Sequence, residues 1–505
     1  MSKINFLFFA PLADEIFYQK LCEKLQNSGH QIKGYISDNK IKTPNNFPFA
    51  EWINCKLLYR QETVRKAIKI DFENLSFSEY SKSVKEGERY FLINLDRLSA
   101  IQNSTEYKIQ HYRQLVSLYT TILKSWGITH VYFAGVPHFA VDLALYYVAK
   151  GMNIEVIFPS RTDYKNYFIM RNDLNAPPIK IGICDVDFEK NFNNSFYITY
   201  SKNLISQSIR FNSSFTQNKL FYCIRICVKF FKLSITAFLT KIYTKDSSLY
   251  CSSSQSALIF LLLSLKRYFQ NKKLYGSYKS LSSKPELNLP YVYFALHFQP
   301  ERSTLPEAGE YYDQISVIRH LSKVLPTGWK IYVKEHPRQF DSWPPDLRKL
   351  YSRSPDFYNE ISEIQNVVLV LLDSDSEKLI LSSKIAITMT GSTGWQAMLS
   401  GIPAITFGRT WYSEASPCRF IKNISDIGDA FKDLLTYTKN DVATGLQIFL
   451  KNLNHYVVLN YDNYDELSKN KNSNIDINQR VESVFKAIDI ITARKLSQDD
   501  ILEVK

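Results

Sequence analysis

The run Thr390-Gly391-Ser392-Thr393-Gly394-Trp395 joins the strand-like stretch 385–390 to a short helical run that ends before Gly401-Ile402-Pro403. Glycine permits a tight turn and close backbone approach. A helix start offers unpaired N–H groups and a positive dipole end, and Ser392 and Thr393 add hydroxyl donors. Together these cradle a phosphate without a lysine. The plainer alternative is a glycine turn with a Ser/Thr cap. Lys334-Glu335-His336-Pro337 follows the strand-like run KIYVK. Ligands of open α/β sheets bind at such carboxyl ends, and proline restricts the turn that carries His336. There His336 can hydrogen-bond phosphate or ribose, and Lys334 can supply charge. Gln299-Pro300-Glu301 follows a third strand-like run. A carboxylate there serves as base or nucleophile, or else as a cap or an ion-pair partner of Arg302 or Lys334.

A fourth cluster, Pro137-His138 with Asp142, marks a strand-to-helix junction in the first half. Residues four apart share a helical face, so the pair suits either a general base on the acceptor side or an N-terminal cap. Several patterns are missing. Neither GxxxxGK[ST] nor GxGxxG occurs, which argues against a P-loop and a dinucleotide fingerprint. GxSxG is absent too, against an α/β-hydrolase. Asp185-Val186-Asp187 and Asp373-Ser374-Asp375 resemble metal-binding DxD pairs, but the second is more simply a helix cap, and no metal is expected. Aromatic residues are not interleaved with a basic run, so no nucleic-acid partner is expected.

The elements that must hold these residues alternate. Apolar runs at 4–9, 32–37, 128–134 and 154–158 read as strands, with helices over 16–26 and 141–150, the second closed by Gly151. Runs at 291–298, 330–334, 367–372, 385–390 and 404–407 alternate with helical segments near 312–325, 346–362, 376–383 and 394–400. Such alternation predicts parallel sheets covered on both faces. The predicted organisation is an α/β unit over 1–184, a basic helical segment and linker over 185–285, a second α/β unit over 286–440, and a helical tail over 441–505. Arg225, Lys229 and Lys232 fall on one helical face, and Lys266, Arg267, Lys272 and Lys273 follow the apolar run 257–265. Both stretches suit either basic helices lying on an anionic membrane surface or core helices with a solvated cationic face. Ser/Lys-rich 276–284 is the best linker candidate.

The chain has 505 residues, 45% hydrophobic and 22% charged, which excludes disorder or coiled coil as the main state. Its 62 Lys+Arg against 49 Asp+Glu, a net +13, favours anionic partners. Seven cysteines show neither zinc-ribbon nor disulfide spacing, so a reducing, cytoplasmic setting is expected. The apolar start reads as a first strand in place of a signal peptide. No run of about 18 uncharged apolar residues suggests a transmembrane helix.

Taken together, Gln299-Pro300-Glu301, Tyr312-Asp313-Gln314, Lys334-Glu335-His336-Pro337, the 390–395 turn, and Phe407-Gly408 with Trp411-Tyr412 resemble the bacterial capsule polysaccharide biosynthesis glycosyltransferases, which include Kdo transferases. The His-Pro and Ser/Thr motifs also look like those of bacterial sialyltransferases. The resemblance covers about 290–415 and, more loosely, 128–158. It implies a GT-B-like fold, with two Rossmann-like doubly wound domains facing across a cleft and a helical insertion between them. It also implies a nucleotide-sugar co-substrate, a CMP-activated ulosonic acid such as Kdo or a sialic-acid-like sugar, and a glycan or glycolipid acceptor. On that basis Gln299, Lys334, His336, Pro337, Gly391, Ser392, Thr393, Gly394 and Gln396 bind the donor. Glu301 is the candidate catalytic carboxylate, with His138 or Asp142 as rivals. Gln396 stands where many relatives carry Glu; it keeps an acceptor oxygen for ribose and loses the charge. The alternatives are a UDP- or GDP-sugar transferase or epimerase of the same fold, or a non-catalytic polysaccharide or membrane adaptor.

Overall fold

The computed structural model describes residues 4–10, 15–37, 51–59, 61, 64, 82–98, 104–164, 166–186, 188, 224, 228, 257–299, 301–340, 352–460 and 476–502. The chain divides into two compact units, one formed by residues 1–95, 103–188 and 450–505, the other by 96–102 and 189–449. Arg225, Lys229 and Lys232, expected on a membrane-facing helix, lie outside the described residues.

Among the described residues the first unit holds a seven-stranded sheet. Its strands are β1 (Asn5–Phe9), β2 (Gln31–Ser37), β3 (Glu51–Asn54), β4 (His130–Phe133), β5 (Glu155–Arg161), β6 (Tyr167–Arg171) and β13 (Val457–Leu459). Their order is β13-β6-β5-β4-β1-β2-β3. β1 pairs in parallel with both β2 and β4, so the strand order reverses between β1 and β4. β6 and β13 extend the edge antiparallel. The helix Ala140–Gly151 ends on Gly151 as expected, but Asn153, not glycine, takes the left-handed φ of 55° that turns the chain into β5.

The second unit holds β7 (Tyr291–Ala295), β8 (Lys330–Lys334), β9 (Val367–Leu369), β10 (Ala386–Thr388), β11 (Ala404–Thr406) and β12 (Cys418–Phe420). The order is β12-β11-β10-β7-β8-β9, and every pairing is parallel. This is the doubly wound order, with its switch point between β7 and β10. Side chains of a strand alternate between faces. Val292 and Phe294 accordingly enter one core with Ile331, Val333 and Ile387, while Tyr291, Tyr293 and Tyr332 enter another with Ala386, Leu379 and Ala397. Both faces are buried, as the apolar runs predicted.

Three expectations change. The stretch 276–281, read as linker, is the last part of the helix Ala257–Leu281, whose Leu274 and Tyr278 are buried in the second unit's core. In the same helix Arg267 is 2% exposed and donates to the Gln339 carbonyl at 3.1 Å, whereas Lys266, Lys272 and Lys273 are exposed. Burial of Arg267 removes it from any membrane-facing set. The helical tail also contributes to the first unit: β13 joins its sheet, and the helix Ile477–Leu502 places Val481, Val484, Ala487 and Ile488 in its core. No described helix is long and apolar enough to cross a membrane. Ile488 is fully buried, so Ile488→Ala is expected to cost the first unit about 2–5 kcal/mol. Faster amide hydrogen exchange in β1 and β13 checks this; unchanged exchange in both strands rejects it.

Candidate functional site

The carboxyl ends of β7 and β10 lie side by side at the switch point, where open α/β sheets form a ligand crevice. The turn after β7 carries His297, Gln299 and Glu301, and the turn after β10 carries Gly391 and Ser392. His297 joins the two turns. Its Nε2 lies 2.7 Å from Thr388 Oγ1 and receives the Met389 N–H at 3.2 Å. Its Nδ1 lies 3.0 Å from Ser303 Oγ, and Ser303 donates in turn to Glu301 Oε2 at 3.1 Å. The His297 backbone is fixed as well: its N–H donates to Gln314 Oε1 at 2.8 Å, and its carbonyl accepts from Arg353 Nη2 at 3.0 Å. Burial, with His336 and the Arg353 guanidinium nearby, pushes the His297 imidazole down to about 3. It is therefore neutral at physiological pH.

His336 stands on a second support. Glu335 is 1% exposed and accepts from Arg353 Nε at 3.1 Å, from the Tyr358 hydroxyl at 2.8 Å and from the His336 N–H at 2.8 Å. A buried carboxylate so fully partnered is a structural anchor, and here it anchors the backbone of the histidine. His336 Nδ1 accepts the Arg338 N–H at 3.2 Å, which leaves the proton of the neutral ring on Nε2, a donor suited to an anion. Gln339, in the 3₁₀ turn Pro337–Phe340, clamps Gln299 from both sides: its Oε1 accepts the Gln299 N–H at 2.8 Å and its Nε2 donates to the Gln299 carbonyl at 3.2 Å.

The 390–395 turn opens the helix Ser392–Leu399, with Gly391 as its N-cap and no side-chain cap bond. A Cβ on Gly391 would sit 2.8 Å from Thr388 Oγ1 and 3.0 Å from the His297 ring, so the turn and the imidazole are in contact. A Cβ on Gly408 would sit 2.3 Å from the Glu307 carbonyl oxygen; the chain after β11 closes on the 301–309 loop, and only glycine fits. Gln396 Nε2 donates to Ser392 Oγ at 3.1 Å. Trp395 is fully buried, its ring 4.4 Å from that of Trp411, and fastens the helix to the unit.

Two expected site residues are engaged elsewhere. Lys334 was expected to add charge to the crevice. It shares a face of β8 with Tyr332, away from Ile331 and Val333, and donates to the Ser374 carbonyl and to Ser376 Oγ at 2.7 Å. Burial there pulls its ammonium down to about 8, against the raising effect of Asp375 and Asp373. Asp142 was a rival base. It is 4% exposed, lies in the first turn of its helix and accepts the His138 N–H at 3.0 Å, which is the capping alternative. His138 Nδ1 donates to the Val136 carbonyl at 2.7 Å, so the neutral ring has its lone pair on Nε2. His138 follows β4, at the switch point of the first unit's own sheet.

Reading the sequence missed His297, Ser303, Gln339 and Arg353. The signal for His297 was there: an isolated histidine directly after a buried strand and before Gln299-Pro300-Glu301. The other three make contacts of 18 to 56 residues or serve as relays, and nothing in local spacing marks them. Among the described residues no group of three or more His, Cys, Asp or Glu could hold a metal.

An imidazole pinned near 3 in the fold and near 6.5 when unfolded stabilises the folded state above pH 6.5 and loses that contribution as pH falls toward 3. Wild type is therefore expected to lose about 2 kcal/mol relative to His297→Gln between pH 6.5 and 4.5. Urea midpoints of both proteins across that range check it; a constant difference rejects it.

Residues 313–416, which contain β8 through β11, the His-Pro turn and the 390–395 turn, match the model of the family described as capsule polysaccharide biosynthesis protein; the turn after β7 with His297 and Glu301 precedes the matched segment. No curated protein sequence matches the chain. Among solved structures, similarity is found to a UDP-GlcNAc 2-epimerase of Methanocaldococcus jannaschii (11% identity, 86% of this chain and 94% of that one, TM-score 0.23). A glycosyltransferase of Rickettsia africae is similar at 13% identity (94% and 100%, TM-score 0.24). The β-Kdo 2,7 transferase KpsC of Thermosulfurimonas dismutans is similar at 12% identity (47% and 67%, TM-score 0.22). At such scores these likenesses add nothing to the strand orders above. The segment 313–416, which holds the His-Pro turn and the glycine-led helix, is thus similar to the capsule polysaccharide biosynthesis family.

Proposed function

We propose that this protein is a glycosyltransferase of capsule or lipopolysaccharide assembly, moving a sugar from a nucleotide donor to a glycan or glycolipid acceptor. The observation that carries this reading is the convergence, at one switch point, of an uncapped helix start and a loop carboxylate, both bonded through the His297 ring. The Ser392 and Thr393 N–H and hydroxyl groups, with Gly391 and Gly394 keeping the backbone open, receive the donor phosphate. His336 adds an Nε2 donor, Gln299 and Pro337 shape the rim, and Gln396 offers an amide to the ribose while steadying Ser392. A nucleoside monophosphate suits a cradle of neutral donors, which is why a CMP-activated ulosonic acid is the proposed donor class. No metal is written into the proposal, because N–H, hydroxyl and imidazole groups meet the anion.

Glu301 is exposed and is the proposed catalytic carboxylate at the mouth of the crevice. As a base, it accepts the proton of the acceptor hydroxyl while that oxygen attacks the anomeric carbon and the nucleotide leaves. As a nucleophile, it forms a glycosyl ester that the acceptor then displaces. His138 is the proposed acceptor-side alternative. A peripheral position on an anionic membrane surface is part of the proposal through residues 219–242 and the exposed Lys266, Lys272 and Lys273.

Thermal-shift ranking of CMP, UDP and GDP tests the donor class, since a ligand that binds only the folded state raises its stability. CMP is expected to lead; a lead by UDP or GDP selects the other donors, and no shift with any of the three rejects the transferase. His336→Ala is expected to weaken CMP binding about tenfold, or roughly 1.4 kcal/mol. Glu301→Gln is expected to lower turnover of CMP-Kdo or CMP-sialic acid by about 10²–10⁴. Unchanged turnover would remove Glu301 from the mechanism. Flotation with anionic vesicles, wild type against an Arg225/Lys229/Lys232 charge reversal, tests the membrane surface; equal flotation counts against those residues.

A further inference from the structure

Thr388, His297 and Ser303 lie between the helix start and Glu301. The hydrogen bonds there admit one arrangement of protons. Nε2 of His297 faces the Met389 N–H, which can only donate, so Nε2 is an acceptor. Gly391 donates its N–H to Thr388 Oγ1 at 3.2 Å, which leaves the Thr388 hydroxyl proton for Nε2. The Ser303 hydroxyl has one proton, and the ionised Glu301 carboxylate can only accept. Nδ1 must then donate to Ser303 Oγ. The direction is fixed independently from each end: Gly391 N–H to Thr388, Thr388 to His297, His297 to Ser303, Ser303 to Glu301. The 301–305 turn holds its end of the chain, since the Glu301 carbonyl accepts from Thr304 Oγ1 at 2.9 Å.

We infer that His297 and Ser303 are positioning residues for the Glu301 carboxylate, with His297 carrying its proton on Nδ1, so that the turn cradling the donor anion and the reacting carboxylate are held in one hydrogen-bonded line. The inference deepens the transferase proposal and rests on it for the role of Glu301. The ring is buried and stays neutral, which keeps the direction of donation the same across the physiological range. An orienting partner of this kind raises turnover by fixing the carboxylate against the reacting atom and leaves ground-state binding alone. The Gly391 contact belongs to the same line. A Cβ there would press on both Thr388 Oγ1 and the ring, so the glycine that opens the anion site also leaves room for the relay.

The test uses the full chain in two measurements. Long-range ¹H–¹⁵N correlation on ¹⁵N-histidine protein, with His297→Gln to identify the signal, is expected to show a neutral His297 protonated at Nδ1. A proton on Nε2, or a ring that titrates near 6.5, overturns the inference. Separately, Ser303→Ala is expected to lower kcat with CMP-Kdo or CMP-sialic acid about 10–100-fold while the Kd for CMP stays within about twofold. Ser303→Thr, which restores the hydroxyl, is expected to recover most of that loss, as a merely space-filling role would not require. Combined with Glu301→Gln, Ser303→Ala should cause little further loss, because the two act as one unit. Wild-type turnover in Ser303→Ala, or full additivity in the double variant, overturns the positioning role. If the wild-type chain binds none of CMP, UDP and GDP, the transferase proposal falls by itself, and the tautomer of His297 still decides the hydrogen-bonded line.

Discussion

The contact on which the second unit's crevice depends is the hydrogen bond between His297 Nε2 and Thr388 Oγ1. β7 and β10 are adjacent and parallel, and the chain leaves their ends in different directions. Parallel neighbours that lead to opposite faces leave a gap just past their last paired residues. The imidazole fills the floor of that gap. It satisfies the Met389 N–H at one nitrogen and the Ser303 hydroxyl at the other, so the turn that follows is free to open a helix toward the crevice. An apolar residue at this position would leave a buried backbone N–H unpaired, at a cost of about 1–3 kcal/mol.

Around this floor the unit spends its buried charge on backbone geometry. Glu335 and Arg353 form an ion pair whose side chains are 0% and 5% exposed. Such a pair gains little net stability, because desolvation offsets the attraction. Its effect is geometric. Glu335 fixes the His336 N–H, and Arg353 reaches the carbonyl of His297, so one pair sets the positions of two imidazoles carried on neighbouring strands. Gln339 does the same for Gln299 with a neutral amide, and Arg267, from the Ala257–Leu281 helix, supports the carbonyl of Gln339. The crevice is thus built of side chains whose own partners lie deeper in the fold, which is what holds a site in place when its ligand is absent.

The two α/β units, their parallel strands and the three motif-bearing turns were legible in the sequence, because buried parallel strands are continuous apolar runs and the turns after them carry Gly, Pro and His at fixed offsets. β3, β6, β12 and β13 were not. Each has five residues or fewer, and Val457–Leu459 is recognisable as a strand only beside Phe168. The helix around Gly276 was taken for a linker because glycine and serine lower helix propensity and Pro285 follows. Burial of Leu274 and Tyr278 overrides that weak local preference.

Local chemistry along the chain determined which turns carry reactive groups: Gln299-Pro300-Glu301 after β7, Glu335-His336-Pro337 after β8, and a glycine-led helix start at Gly391 after β10. Tertiary structure alone decided what they do there. Lys334 is taken up by Ser374 and Ser376, which follow β9 and lie 40 and 42 residues on in the sequence. His297 became the floor because the order of strands set β7 against β10, 91 residues on. Periodicity and spacing are properties of a few consecutive residues, whereas strand order and the partner of a buried polar atom exist only once the sheet has formed.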